Sequence, residues 1–208
     1  MGRLFSAVGD ALEQNRSVLN RADPLNGNHG DHMAAIFQVA AQAARENPDL
    51  ELPQAMQAAA ERLAALPAND SARLYAVGLG QMSRQFQSYG ITTSDLVSYV
   101  RSVLAEKPQP GAAAQEKPEN AGDILKALMA GLAAWSRMES GQPPSDNPLD
   151  MGTLFEFGLA YMQAKQRGGN RLQVLADAAC AVSPLGLTPH RTESGRIAIQ
   201  ALLQAMQA

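Results

Sequence analysis

Cysteine is nearly missing from this 208-residue chain: Cys180 stands alone. One thiol can form neither an intrachain disulfide nor a cysteine-rich zinc module, so a reducing cytoplasm is the expected compartment. Aromatic residues are also few, at 5% of the chain with a single tryptophan. No run of about 18 apolar residues occurs, which argues against a membrane-spanning helix, and the first residues mix charge with apolar positions instead of building a signal-peptide core. The opening Met1-Gly2-Arg3-Leu4-Phe5-Ser6 fits the loose myristoylation pattern but lacks a polybasic companion, so no membrane partner is expected. Positive charge is not in excess either: 17 Lys and Arg face 20 Asp and Glu, for a net charge of -3. Without a basic patch, no nucleic-acid partner is expected.

Alanine is what the chain has in abundance, at 37 residues. Small faces of that kind suit helices packed closely together, and the periodicity is helical throughout. Phe5, Val8, Leu12 and Leu19 share one face of a first helix; Met33, Ile36, Phe37, Ala40 and Ala44 share one of a second. A third helix is predicted over 52–66, stopped by Pro67. Asn69-Asp70-Ser71 offers N-cap chemistry to a long fourth, with Tyr75, Leu79, Met82, Phe86 and Tyr89 at spacings of four and three and Gly90 after it. Thr92 to Asp95 opens a fifth, with Leu96, Val100, Val103 and Leu104 inward. Further on, Ile124, Leu128, Leu132 and Trp135 mark one helix, and Met151, Leu154, Phe155, Gly158 and Met162 the inward face of the next. Gly168-Gly169-Asn170 punctuates before Leu172, Leu175 and Ala179, and Ile199, Leu203 and Met206 give the last helix its apolar side. Residues 106–121 hold three prolines and no large apolar side chain, which reads as a solvated loop within one domain spanning 1–208. The expected fold class is all-α.

Polar residues gather in three loops that each lead into a helix: Asp23 to His32, Pro67 to Arg73, and Thr188 to Arg196. Helix N-termini present unpaired amides and the positive end of the helix dipole, so such loops are where a helical bundle would meet an anion. The first loop reads Leu19-Asn20-Arg21-Ala22-Asp23-Pro24-Leu25-Asn26-Gly27-Asn28-His29-Gly30-Asp31-His32-Met33. It resembles the signature of the nucleotide-binding (L) subunit of dihydroxyacetone kinases, Leu-Asn-x-x-Asp followed by Gly-Asp-x-Asp-His-Gly-Thr-Asn-Met. Ser71-Ala72-Arg73-Leu74-Tyr75-Ala76 is similar to that family's Ser-Gly-x-Leu-Tyr-Gly. His190-Arg191-Thr192-Glu193-Ser194 is a weaker match to its His-x-Asp-Pro-Gly. The resemblance implies an up-and-down barrel of about eight helices, with ADP or ATP held at one end by two magnesium ions. It also implies a separate substrate-binding kinase subunit as partner. Carried over residue by residue, it marks His29, Gly30, Ser71 and His190 as nucleotide-binding positions.

The departures from that pattern weaken the chemistry. Asp23 matches the first of three magnesium-gathering aspartates, but Asn26 and Asn28 stand where the other two belong, and the spacer is two residues shorter. Magnesium relies on anionic oxygens, and an amide keeps the oxygen while losing the charge. Ala68, Asn69 and Ala72 replace phosphate-loop glycines, and Asp70 brings a carboxylate to a helix start where it can cap the amides itself. Thr192, Glu193 and Ser194 replace Asp-Pro-Gly. A degraded nucleotide and magnesium site, with a binding or accessory role toward a protein partner or a ligand in the barrel, is therefore expected. Two other readings stay open. In one, phosphotransfer survives with Asp31 compensating; in the other, Asp23, His29, Asp31 and His32 form an imidazole and carboxylate site suited to a transition metal. Cys180 is expected to be a buried inert thiol, and the Tyr75, Phe86, Tyr89 stripe and Trp135 to be core. Gly168-Gly169 is a turn, since it lacks the lysine and preceding strand of a phosphate loop.

Overall fold

The computed structural model describes residues 1–66, 69–105, 120–141 and 151–208, with the side chains of 151–154 excepted. Most of the 106–121 connection, together with Pro67 and Ala68, lies outside the described residues. Those described form ten α-helices and no strand: α1 (Gly2–Gln14), α2 (Arg16–Ala22), α3 (His29–Glu46), α4 (Leu52–Ala64), α5 (Asp70–Ser88), α6 (Thr93–Leu104), α7 (Ala121–Glu139), α8 (Met151–Arg167), α9 (Arg171–Ala181) and α10 (Pro189–Gln207). A short 3-10 turn, Pro184–Leu187, precedes α10. The all-α bundle expected from the sequence is thus the fold.

The helix ends follow local chemistry. Asn69 accepts from the Ala72 amide at 2.9 Å and so caps α5, while Asp70, the first helical residue, pairs with Arg73 on the surface. The capping expected of Asp70 therefore belongs to Asn69. Thr92 and Asp95 form a reciprocal capping box on α6, and Asn170 and Gln173 form another on α9, each satisfying amides that the helix leaves unpaired. Gly90, at φ +64°, takes the left-handed conformation that ends α5. The first predicted helix is broken at Asn15, whose side-chain amide bonds back to the Ala11 carbonyl at 2.8 Å and ends α1 there.

Helices α1, α3, α4, α5, α7, α8, α9 and α10 follow one another around a ring, with α10 returning to α1 and α6 packed against both α7 and α10. Small residues allow the close approaches. Trp135 of α7 lies over Gly78 of α5, where a Cβ would come within 2.7 Å of the indole, and Met82 of α5 lies over Gly131 of α7. The pairs 78/82 and 131/135 are each one turn apart, so large and small residues interlock in both directions across an antiparallel helix pair.

The inward stripes read from the sequence do face inward, with one exception. On α8, Gly158 lines the ring's interior as read, but Phe155 and Met162 are 72% and 55% exposed, and it is Phe157 and Tyr161 that join Gly158 at the interior. That helix carries apolar side chains on both sides, so its periodicity does not select the inner one. Met151 and Leu154, assigned to the same face, lie outside the described side chains.

Candidate functional site

Two features qualify: the loop cluster at one end of the ring and the ring's interior. The cluster is built on the turn between α2 and α3. The Asn20 side chain reaches across that turn, its Oδ1 accepting from the amides of Gly30 at 2.7 Å and Asp31 at 3.2 Å, while its Nδ2 donates to Asp31 at 3.1 Å. Helix α3 accordingly begins at His29, so His29 and Gly30 are helical and not loop residues as predicted. Gly30 is required by this arrangement, because a Cβ there would run into the Arg16 carbonyl oxygen and come within 2.8 Å of Asn20 Oδ1. Asp23 closes the loop below, accepting from the Leu25 amide at 3.0 Å and the Asn28 amide at 3.3 Å. The Leu25 bond chiefly holds its carboxyl below the usual aspartate range.

His29 is buried, 5% exposed, and its Nε2 lies 2.8 Å from the Ser194 hydroxyl of α10. Ser194 in turn donates to the Arg191 carbonyl at 3.1 Å. The Ser194 hydroxyl thus stands between the imidazole and a backbone carbonyl, and which of the two groups donates in the His29–Ser194 bond follows the tautomer of the ring. Burial lowers the His29 pKa to about 4, and the nearby His190 pushes in the same direction. The two imidazoles meet edge to face with centroids 4.9 Å apart.

Of the four positions marked for a nucleotide, the fold brings His29, Gly30 and His190 together. Ser71, partly buried at the start of α5, is joined to them by no hydrogen bond among the described residues. The four positions marked for a transition metal do not make a ligand set. Asp23 is turned to loop amides, His29 to Ser194, and Asp31 to Asn20 and, at 3.6 Å, to Arg16. Among the described residues no three His, Cys, Asp or Glu side chains are gathered as a metal ion needs. Sequence reasoning missed Asn20 and Ser194, the two residues that lock the cluster. Asn20 lay inside the quoted motif, but its reach to amides ten residues away had no local signal.

The C-terminal departures also have structural work. Thr192 Oγ1 donates to the Thr188 carbonyl at 2.9 Å, Glu193 accepts through both carboxylate oxygens from Arg196 Nη2 at 2.8 Å, and Ser194 holds His29. Cys180 is buried beside them, its thiol pushed up to about 12 by burial, which makes it inert at neutral pH.

The ring's interior holds a cavity of about 700 Å³. Its wall is the set of inward stripes: Tyr75, Leu79, Met82 and Phe86 from α5, Leu96, Val100 and Val103 from α6, Leu128, Leu132 and Trp135 from α7, Phe157 and Tyr161 from α8, Leu175 and Ala179 from α9, and Ile199, Leu203 and Met206 from α10. Phe37 meets Tyr75 edge to face at 5.3 Å and Tyr75 meets Trp135 at 6.1 Å, so an aromatic row runs along one side. Burial raises the Tyr75 hydroxyl pKa, keeping it neutral. No helix among the described residues is long and apolar enough to cross a membrane. Compared with protein-family models, with curated proteins and with solved structures, the chain finds no match.

Proposed function

We propose that this protein is a divergent relative of the dihydroxyacetone kinase L subunit that binds an apolar ligand inside its helical ring and no longer transfers phosphate. The observation that carries the reading is the apolar interior of about 700 Å³. Small-molecule sites run from roughly 300 to 1,000 Å³ and are mostly apolar. An apolar wall of this extent left facing solvent costs free energy in proportion to its area. Water is a poor filler over most of this wall, because an ordered water needs two to four polar partners and the lining is mainly Leu, Met, Phe, Val and Ile, with the buried, unpartnered Tyr75 hydroxyl and Trp135 Nε1 as local exceptions. An apolar ligand relieves that cost.

The polar end supports the same reading from the other side. Asn26 and Asn28 supply no charge to a magnesium ion, Asp23 spends its carboxylate on loop amides, and His29 is sealed against Ser194. Compensation by Asp31 in a working phosphotransferase has little support, since that carboxylate is held by Asn20 and faces Arg16.

The single tryptophan, Trp135, lines the interior and reports on it directly. Titration with dodecanol should give a saturable change in Trp135 emission, while calorimetry with ADP and magnesium should give no micromolar binding. A flat dodecanol titration would overturn the ligand reading; micromolar, magnesium-dependent ADP binding would overturn the loss of nucleotide chemistry.

A further inference from the structure

Of the asparagines in the chain, Asn26 alone is followed by glycine. Asn26 and Gly27 are both exposed, in the loop between α2 and α3. What surrounds Asn26 sets it apart from other asparagines of the chain. The side chains of Asn15, Asn20, Asn47, Asn69 and Asn170 are each engaged in a hydrogen bond with a backbone group. Neither the Asn26 side chain nor the Gly27 amide makes a hydrogen bond among the described residues. The Leu25 and Asn28 amides donate to Asp23, so the loop is pinned on both flanks while Asn26 and Gly27 stand unengaged between them. Gly27 has φ +67°, and the atom nearest to where a Cβ would stand is the Asn20 carbonyl oxygen, at 3.8 Å.

Asparagine is among the chemically labile residues, and an unbonded amide nitrogen beside an unbonded carboxamide is placed to close on it. We propose that Asn26 is a site of spontaneous modification, at which water replaces the side-chain amide and leaves a carboxylate. Hydroxide takes the Gly27 amide proton, and the nitrogen attacks Asn26 Cγ to form the C–N bond of a five-membered succinimide. Water returns a proton to the departing side-chain nitrogen, which leaves as ammonia, and hydroxide is regenerated. Water then opens the ring at either carbonyl. Opening at Cγ gives aspartate, and opening at the main-chain carbonyl gives iso-aspartate, whose chain runs on through Cγ. One water is consumed and one ammonia released, with no change of oxidation state. Glycine at position 27 favours the closure because it has no Cβ to obstruct the approach. Either product adds a negative charge beside Asp23, just ahead of α3. Iso-aspartate also lengthens the main chain by one carbon inside the loop that Asp23 closes. The Asn28 bond to Asp23, at 3.3 Å the longer of the two, spans the altered residue and is the one released.

The test incubates full-length wild type and Asn26→Gln, whose longer side chain would have to close a six-membered ring, in mildly alkaline buffer without denaturant. Ammonia release, an acidic species on ion exchange and peptide mass mapping follow the reaction, and an iso-aspartate methyltransferase assay counts that product. A parallel incubation of wild type in urea gives the rate in the unfolded chain. The expected result is that Asn26 is modified at least tenfold faster than any other asparagine, at a folded rate within tenfold of the unfolded one. The rate should rise with pH, and the ammonia and the acidic species should be lost in Asn26→Gln. Modification of Asn26 less than tenfold faster than that of another asparagine would overturn the proposal. A folded rate more than tenfold below the unfolded one would overturn it equally, by showing that the loop protects Asn26 instead of presenting it.

Discussion

The imidazole of His29 and the hydroxyl of Ser194, 2.8 Å apart, join the first turn of α3 to the second turn of α10 across 165 positions of chain. The Ser194 hydroxyl engages the ring nitrogen of His29 where that imidazole is buried. The polar end of the molecule is thereby a packed junction between two helices.

That junction makes stability depend on pH. His29 titrates near 4 when folded and near 6.5 when unfolded, so below pH 6.5 the unfolded chain takes up a proton that the folded one refuses. Stability is therefore unaffected by His29 above pH 6.5, falls as pH drops toward about 4, and levels off in this respect below it. The loss is on the order of 2 kcal/mol, discounted for partial solvation. Urea unfolding at a series of pH values should show the slope in wild type and a flatter one in His29→Gln over the same interval.

Removing the hydroxyl should hurt at neutral pH too. Ser194→Ala leaves a buried imidazole nitrogen without its hydrogen-bond partner, a loss of about 1–3 kcal/mol. Chemical denaturation of Ser194→Ala beside wild type measures it. A double variant with His29 replaced by an apolar residue of similar size should lose less than the sum of the two single changes, because neither partner then remains stranded.

At the α2–α3 turn the required residue is Gly30. Gly30→Ala sets a methyl group against the Arg16 backbone, which no side-chain rotation relieves, and should cost about 3 kcal/mol. Asn20→Ala removes the acceptor for two amides and should cost about 1–2 kcal/mol. Midpoints of urea unfolding rank the two; a Gly30→Ala protein as stable as wild type would show that α2 does not lie where it is described.

Much of this was legible in the sequence. Tyr75, Leu79, Met82 and Phe86 recur at helical spacing and all face inward, as do Leu128, Leu132 and Trp135. Periodicity states which side of a helix avoids water, but not whether the inward sides of opposite helices touch, so a ring with an open interior and a solid core give the same pattern. Three failures have distinct causes. The break at Asn15 depends on one side-chain bond to Ala11, the early start of α3 depends on a cap supplied by Asn20 from a different helix, and α8 has two apolar sides. In the site, Asp23 and His29 looked available because sequence shows what a residue can bind and not what already occupies it.

The interlock of α5 and α7 separates a rigid neighbour from a yielding one. Gly78→Ala drives a methyl group against the Trp135 indole, a bulky buried ring with only two rotatable bonds, and should cost about 2 kcal/mol. Gly131→Ala meets the Met82 thioether, whose three rotatable bonds open toward the cavity, and should cost under about 1 kcal/mol. Thermal unfolding of the two variants checks the order. Binding of dodecanol should follow the same order, because a shifted indole narrows the interior and a shifted methionine tail only rearranges it.

Restoring charge should not restore nucleotide binding. Asn26→Asp with Asn28→Asp returns the two carboxylates that the resemblance places around magnesium, and both side chains are at least partly exposed, so the double variant should fold. Asp23 still accepts from two loop amides, Asp70 still stands at the start of α5, and His29 is still held by Ser194. Magnesium binding in the double variant should improve through charge alone and remain weak, with no micromolar ADP affinity by calorimetry. Further replacement of Asp70 and Ser194 by glycine should be needed before ADP adds to the magnesium signal. Micromolar ADP binding in the double variant alone would show that the loss of nucleotide chemistry rests on two missing charges and not on the packed junction at His29.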